Sequence, residues 1–274
     1  MTDAFAEYAE AERLAVENIG KDKAERLGLY WWDSAGLDYS ASNKNDLIRF
    51  HDQMQDGRFT VNISLMGELS NKELWMLETA GRIVFEFGKT IGKPTAARDA
   101  VTRAMYQWKI VASHFDLRNS ILEIGPGSGY LGLMAMLAGH DYKAIERASG
   151  FYHYQRELWN FAARHIIKGK ATHIPWWRLA DEQAFEPVGV ATINHAICEI
   201  HPDGLHTMFS FLRRSTFTVV IEDVGLQKTP KQTALDTIKS AGWHISSFPN
   251  DVHICRREPR RDIETIFNEI EGAQ

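Results

Sequence analysis

The chain has 274 residues, 44% hydrophobic and 24% charged, with a formal net charge of −5 at pH 7. That length supports a large buried core, and the acidic balance removes the usual electrostatic signature of a nucleic-acid binder, so nucleic acid is not expected as a partner. The two cysteines, Cys198 and Cys255, stand outside any Cys-x-x-Cys spacing, which excludes a zinc cluster or a disulfide framework and suits buried thiols in a reducing compartment.

The N-terminal stretch, MTDAFAEYAEAERLAVENIGKDKAERL, is acidic and helix-like, without a basic segment followed by an apolar one. No apolar run approaches membrane-spanning length, so a cytoplasmic protein with no membrane partner is expected. Further on, apolar and aromatic residues recur at helical spacing in NKELWMLETAGRIVFEFGKT and AARDAVTRAMYQWKIVASHF. Residues 1–118 therefore read as a mainly helical extension, serving as a lid over an acceptor pocket or as a homodimer interface. Its aromatic string Gly28 to Ser40 could form a stacking wall or pack the extension on the core.

From residue 119 to 274 the grammar changes to short apolar runs alternating with amphipathic stretches, the mark of parallel strands joined by helices. Candidate strands are Ser120–Ile124, Tyr142–Glu146, Ala171–Trp177, Val188–Asn194 and Phe217–Asp223, with helices near Tyr130–Leu137, Phe151–His165 and Gly204–Arg214. The closing Pro-Asn-Asp turn is too short for a crossover helix, so the last two strands should pair antiparallel. The run Arg256 to Arg261 reads as a solvated tail.

The most informative segment is ILEIGPGSGYLGLMAMLAG, Ile121 to Gly139. A phosphate-binding loop needs Gly-Lys-Ser/Thr after its glycines, and none follows. The dinucleotide fingerprint wants a third glycine where Tyr130 stands, which weakens that reading. S-adenosylmethionine carries an ammonium and a sulfonium in place of a pyrophosphate, so the carboxylate of Glu123 beside the turn would help it and would repel a pyrophosphate. Glu146 ends the next strand, about twenty residues after the turn, where a carboxylate can accept from both ribose hydroxyls.

These residues carry a resemblance. LEIGPGSGYLG resembles the first motif of class I S-adenosylmethionine-dependent methyltransferases, INHAICEIHPDGLHTMFSFLRRSTFTVVIED their fourth strand, helix and fifth strand, and SAGWHI with DVHICRR their closing hairpin. The resemblance spans about residues 119 to 257. It implies a Rossmann-like α/β fold with a seven-stranded sheet and an antiparallel last strand, binding S-adenosyl-L-methionine. It also implies that Glu123 and Gly127 contact the methionyl part and Glu146 the ribose, with Gly125, Pro126, Gly129 and Arg147 beside them. Trp177, with Trp176 and the following polar run, would flank the adenine, and Asn194 and His195 would stand beside the transferring methyl.

Transfer to a hydroxyl needs a base, and His195, Glu199 and His201 stand just past the fourth strand. The two histidines are not at a metal-ligand spacing, and no metal is expected. The leading expectation is O-methylation of a small hydroxylated acceptor. The layout also resembles sugar O-methyltransferases of bacterial glycan loci, although Ala196 and Ile200 replace the serine and methionine of their pattern, and Ile193 its asparagine. N-methylation of a small amine, peptide or RNA base, a non-catalytic partner subunit and a nicotinamide-dependent oxidoreductase are the alternatives. The first lacks its usual Asn-Pro-Pro-Tyr-like tetrapeptide, because Asn-His-Ala-Ile stands there.

Overall fold

Among the described residues, five α-helices precede the first strand: α1 (Ala4–Ile19), α2 (Lys21–Arg26), α3 (Leu47–Gln53), α4 (Asn71–Thr90) and α5 (Arg98–Ala112). The computed structural model describes residues 3–27, 39–53, 66–115, 120–165, 168–180, 186–222 and 229–257. The two helices expected from periodicity are α4 and α5. The first opens on a reciprocal cap, in which the Ser70 hydroxyl accepts from the Glu73 amide while the Glu73 carboxylate accepts from the Ser70 amide. Most of the aromatic string Gly28 to Ser40, and the chain after Arg257, lie outside the described residues.

Seven strands follow, β1 (Ser120–Ile124), β2 (Asp141–Ile145), β3 (Ala171–His173), β4 (Val190–Asn194), β5 (Thr218–Glu222), β6 (Trp243–Phe248) and β7 (Val252–Arg257). They lie in one sheet in the order β3-β2-β1-β4-β5-β7-β6. The first five pair in parallel, and β7 runs antiparallel between β5 and β6. Helices α6 (Tyr130–Ala138), α7 (Ser149–Ala162) and α8 (Pro202–Ser215) follow β1, β2 and β4, and α9 (Lys231–Ser240) precedes β6. The strand expected to reach Trp177 stops at His173. Pro175 has no amide hydrogen for the ladder, and the chain turns into a short 3-10 helix over Trp176–Ala180.

Alternation along the strands decides which side chains meet. Ile121, Val190 and Val220 belong to one core layer, with Val84, Val101, Leu133 and Tyr154 from the helices α4 to α7. Leu122, Ile193 and Ile221 belong to the opposite layer, with Leu205 and Ile238 of α8 and α9. Counting by twos from the first set puts Glu123, Asn194 and Glu222 on the face that α4 to α7 cover. Strand order reverses between β1 and β4, so the crevice at their carboxyl ends opens beside these polar groups.

The helices before β1 dock tightly on the sheet's own helices. A Cβ on Gly150 of α7 would lie 1.9 Å from the Phe50 ring of α3, so only glycine admits that ring. A buried chain of hydrogen bonds runs from Tyr130 Oη to Tyr154 Oη (2.9 Å), on to His51 Nδ1 (2.8 Å), and from His51 Nε2 to Thr95 Oγ1 (2.8 Å). Among the described residues no helix is long and apolar enough to cross a membrane.

Candidate active site

At the end of β1 the chain turns through Gly125, Gly127 and Gly129, all at positive φ, before α6 begins at Tyr130. The Gly129 amide closes the turn on the Pro126 carbonyl at 3.0 Å. At Gly127, φ is +54° and no atom lies within 4 Å of where a Cβ would stand. The turn thus presents bare backbone to an open space, a cradle for a ligand.

Two carboxyl groups stand behind it. Glu123 accepts from the Tyr142 hydroxyl and from Asn194 Nδ2 (2.8 Å). Glu146, just past β2, accepts from the amides of Gly127 (3.2 Å) and Ala148 (2.9 Å) and from Gln155 Nε2 (3.1 Å). Gln155 also donates to the Gly127 carbonyl at 2.6 Å, and its own oxygen lies 2.7 Å from His173 Nε2. His173 stays neutral, because burial pushes it down to about 3 and leaves Nε2–H as the donor. Burial pushes both Glu123 and Glu146 up to about 7, against the hydrogen bonds that favour their charged forms. Among the described residues neither has a cationic side chain as a hydrogen-bond partner. A ligand cation supplied here would favour the ionised carboxylates that burial opposes. The ammonium and sulfonium of S-adenosylmethionine fit that demand, and a pyrophosphate does not.

On the far side of the crevice, His195 follows β4 at φ +59°. Its amide donates to the Glu222 carbonyl at 2.7 Å, and its Nε2 lies 3.1 Å from Glu222 Oε2. Helix α5 closes over the pair from residues one turn apart: Arg103 Nη1 donates to Glu222 Oε1 (2.7 Å) and Gln107 Nε2 to Oε2 (2.6 Å). Arg103 Nη1 also lies 3.1 Å from His195 Nε2. Burial alone would raise the Glu222 carboxyl, but His195, Arg103 and Gln107 outweigh it and hold it below its ordinary value. The imidazole is partly exposed, and its Nδ1 makes no hydrogen bond among the described residues.

The other sequence candidates divide. Asn194 holds Glu123, and Arg147 lies over the Trp176 ring at 4.0 Å. Trp177 is half-buried, 5.8 Å from the Tyr8 ring of α1. Glu199 is buried in the turn Ile197–Glu199, between Cys198 and Ile200 of the opposite core layer. His201 is the N-cap of α8, its Nδ1 accepting from the Asp203 amide at 3.1 Å. Of the three residues read as candidate bases, His195 faces Glu222 at the end of the crevice, Glu199 lies in the buried turn and His201 caps α8. Glu222, Arg103 and Gln107 were missed. The available signal for Glu222 was a carboxylate closing a parallel strand, TVVIE, at the sheet edge where ligands bind.

The sheet order, the glycine turn after β1, the carboxylate after β2 and the antiparallel closing pair decide the architecture. This is the class I methyltransferase fold. No family profile matches the chain. A curated relative of this methyltransferase-fold chain is the probable histone-arginine methyltransferase 1.3 of Arabidopsis thaliana, 26% identical over 163 residues. The match covers 57% of this chain, which spans only 29% of that relative's length. Among solved structures, a TehB-like S-adenosylmethionine-dependent methyltransferase from Corynebacterium glutamicum is 11% identical, with a TM-score of 0.42 over 56% of this chain and 87% of its own. Magnesium protoporphyrin IX methyltransferase from Synechocystis PCC 6803, with bound S-adenosylmethionine, is 10% identical, with a TM-score of 0.42 over 70% of this chain and 100% of its own.

Proposed function

We propose that the chain is an S-adenosylmethionine-dependent methyltransferase acting on the oxygen of a small hydroxylated acceptor, such as a sugar or glycan precursor, in the cytoplasm. The observation that carries the oxygen assignment is the contact between His195 Nε2 and Glu222 Oε2 at 3.1 Å, with Nδ1 left open. The cofactor, when bound, supplies a methyl group on a sulfonium, open to in-line displacement. Glu123 and Glu146 would hold its methionyl and ribose ends across the Gly127 turn.

The chain's own residues manage the proton. In the tautomer whose Nε2–H faces Glu222 rather than the one that accepts from Arg103 Nη1, the Nδ1 lone pair of His195 is free to accept the proton of the acceptor hydroxyl. The imidazolium that results keeps its Nε2–H on a carboxylate that Arg103 and Gln107 hold ionised, so the charge forms beside its counter-charge. A nitrogen acceptor with a neutral lone pair would leave this dyad without work. Nitrogen methylation is the second reading, favoured by the Arabidopsis relative, a probable histone-arginine methyltransferase. The helices before β1 would serve as the lid, α5 closing the acceptor side.

Calorimetric titration with S-adenosylhomocysteine, with NADH as control, tests the cofactor: micromolar binding of the first alone is expected. Labelled S-adenosylmethionine is then offered with a panel of sugars, nucleotide sugars, phenols and amines. Label on hydroxyl acceptors, lost in His195→Ala with homologue binding intact, supports the reading. Label on amines alone, indifferent to His195→Ala, would overturn the oxygen assignment.

A further inference from the structure

The hydroxyl of Tyr8 is buried and has no hydrogen-bond partner among the described residues, in a side chain that is only 8% exposed. Phenylalanine would fill the same apolar space without burying an unmet hydroxyl, so the group asks for a partner that none of the described residues supplies. Its surroundings show where that partner lies. The Tyr8 ring stacks on Tyr152 at 4.1 Å and is tilted against Trp177 at 5.8 Å. Glu12, one turn further along α1, accepts from Trp176 Nε1 at 2.7 Å and pairs with Arg147 at 2.6 Å. Arg147 directly follows Glu146, whose charge acts on the Tyr8 hydroxyl. Helix α1 therefore crosses the ends of β2 and β3, over Arg147, Trp176 and Trp177. That is the nucleoside side of the crevice, away from the His195 dyad.

We infer that α1 roofs the nucleoside half of the cofactor site, with the Tyr8 hydroxyl as a direct hydrogen-bond contact to the adenosine of the bound cofactor and Glu12 as the latch holding the helix down. The inference rests on the S-adenosylmethionine reading of the glycine turn and adds a contact from outside the α/β unit. Loading and release then require Glu12 to leave Arg147 and Trp176, which makes α1 a moving part of each turnover.

Tyr8→Phe and Glu12→Gln in the full chain, with S-adenosylhomocysteine and adenosine as probes, test it. Tyr8→Phe keeps the ring stack, so the free variant should melt at the wild-type temperature or above it, relieved of an unmet hydroxyl. Its Kd for both probes should nonetheless rise about fivefold or more, the worth of one buried hydrogen bond. Opposite signs for stability and binding are what a packing role cannot give. An unchanged Kd, with wild type binding normally, overturns the Tyr8 contact and leaves the cofactor reading standing; a lowered melting temperature of the free variant marks the hydroxyl as structural and also overturns it. Glu12→Gln should speed dissociation of the homologue severalfold, and an unchanged rate removes the latch. Failure of folded wild type to bind either probe overturns the cofactor reading together with the roof.

Discussion

At the scale of single residues, the acceptor side depends on one carboxylate. Glu222 accepts from Arg103 and Gln107 and lies 3.1 Å from His195 Nε2, and it is itself 3% exposed. Removing its charge while keeping its shape should therefore affect chemistry more than folding. In Glu222→Gln the side-chain oxygen can still accept, but the amide can also donate to Nε2 and hold the imidazole in the wrong tautomer. A fall in kcat of about 10²- to 10⁴-fold is expected, the range for loss of a positioned base or of its orienting carboxylate. The Kd for S-adenosylhomocysteine should not change, because Glu123 and Glu146 lie on the other strands of the crevice. Turnover within threefold of wild type would dismiss the dyad. Arg103 behaves differently, since its loss leaves a buried carboxylate without its counter-charge. Arg103→Leu should cost about 3 kcal/mol of stability, read by chemical denaturation.

At the scale of elements, docking of the early helices on the sheet turns on Gly150. Alanine is the better helix former by about 1 kcal/mol, which on an exposed helix would make Gly150→Ala stabilising. Here the added Cβ would stand 1.9 Å from the Phe50 ring, and that ring is fully buried, so it has nowhere to move. Overpacking of this kind costs about 1–3 kcal/mol and should win. Gly150→Ala is expected to lower stability, and much of the loss should disappear when Phe50→Leu makes room. An additive double mutant would mean that α3 and α7 do not meet as described. The same pair shows what a sequence can tell. The glycine turn, the helical spacing of α4 and most strand positions follow from patterns within a few residues and were legible. The fit of Phe50 on Gly150 joins positions a hundred residues apart, as Arg103 and Glu222 do, and no local pattern encodes such a meeting. The extra strand length expected up to Trp177 failed for a local reason that was visible, Pro175. His201 looked like a base because a histidine at a strand's end suits one, yet the proline after it starts α8 and makes the ring a cap. The places of Glu123, Glu146 and Asn194 follow from strand ends and the glycine turn, whereas the contacts of Gln155 and Tyr142 to those carboxyls carry no local signal.

At the scale of the whole molecule, burial sets two opposing pH dependences. Burial raises Glu123 and Glu146 from 4.5 to about 7, so the folded state binds protons more tightly than the unfolded one. Their contribution falls as pH rises from about 4.5 to 7 and is then constant. His153 and His173 are lowered from 6.5 to about 4 and about 3, and His51, His114 and His140 are lowered as well, all chiefly by burial. These histidines contribute stability that is present above pH 6.5 and lost as pH falls towards their folded values. The two trends oppose each other between about pH 4.5 and 6.5, so the free protein should show a broad plateau there and unfold in acid as the histidines charge. Above pH 6.5 only the carboxyls still change, and a bound ligand, with its ammonium beside Glu123 and its ribose hydroxyls on Glu146, removes their penalty by favouring the ionised forms. Ligand stabilisation should therefore grow with pH: the rise in Tm given by saturating S-adenosylhomocysteine is expected to be larger at pH 8 than at pH 6, with proton release on binding near pH 6.5. Calorimetry in two buffers of different ionisation enthalpy at pH 6.5 measures that release directly. A Tm rise equal at both pH values, with no proton released, would mean that the ligand's cation does not sit against these carboxyls.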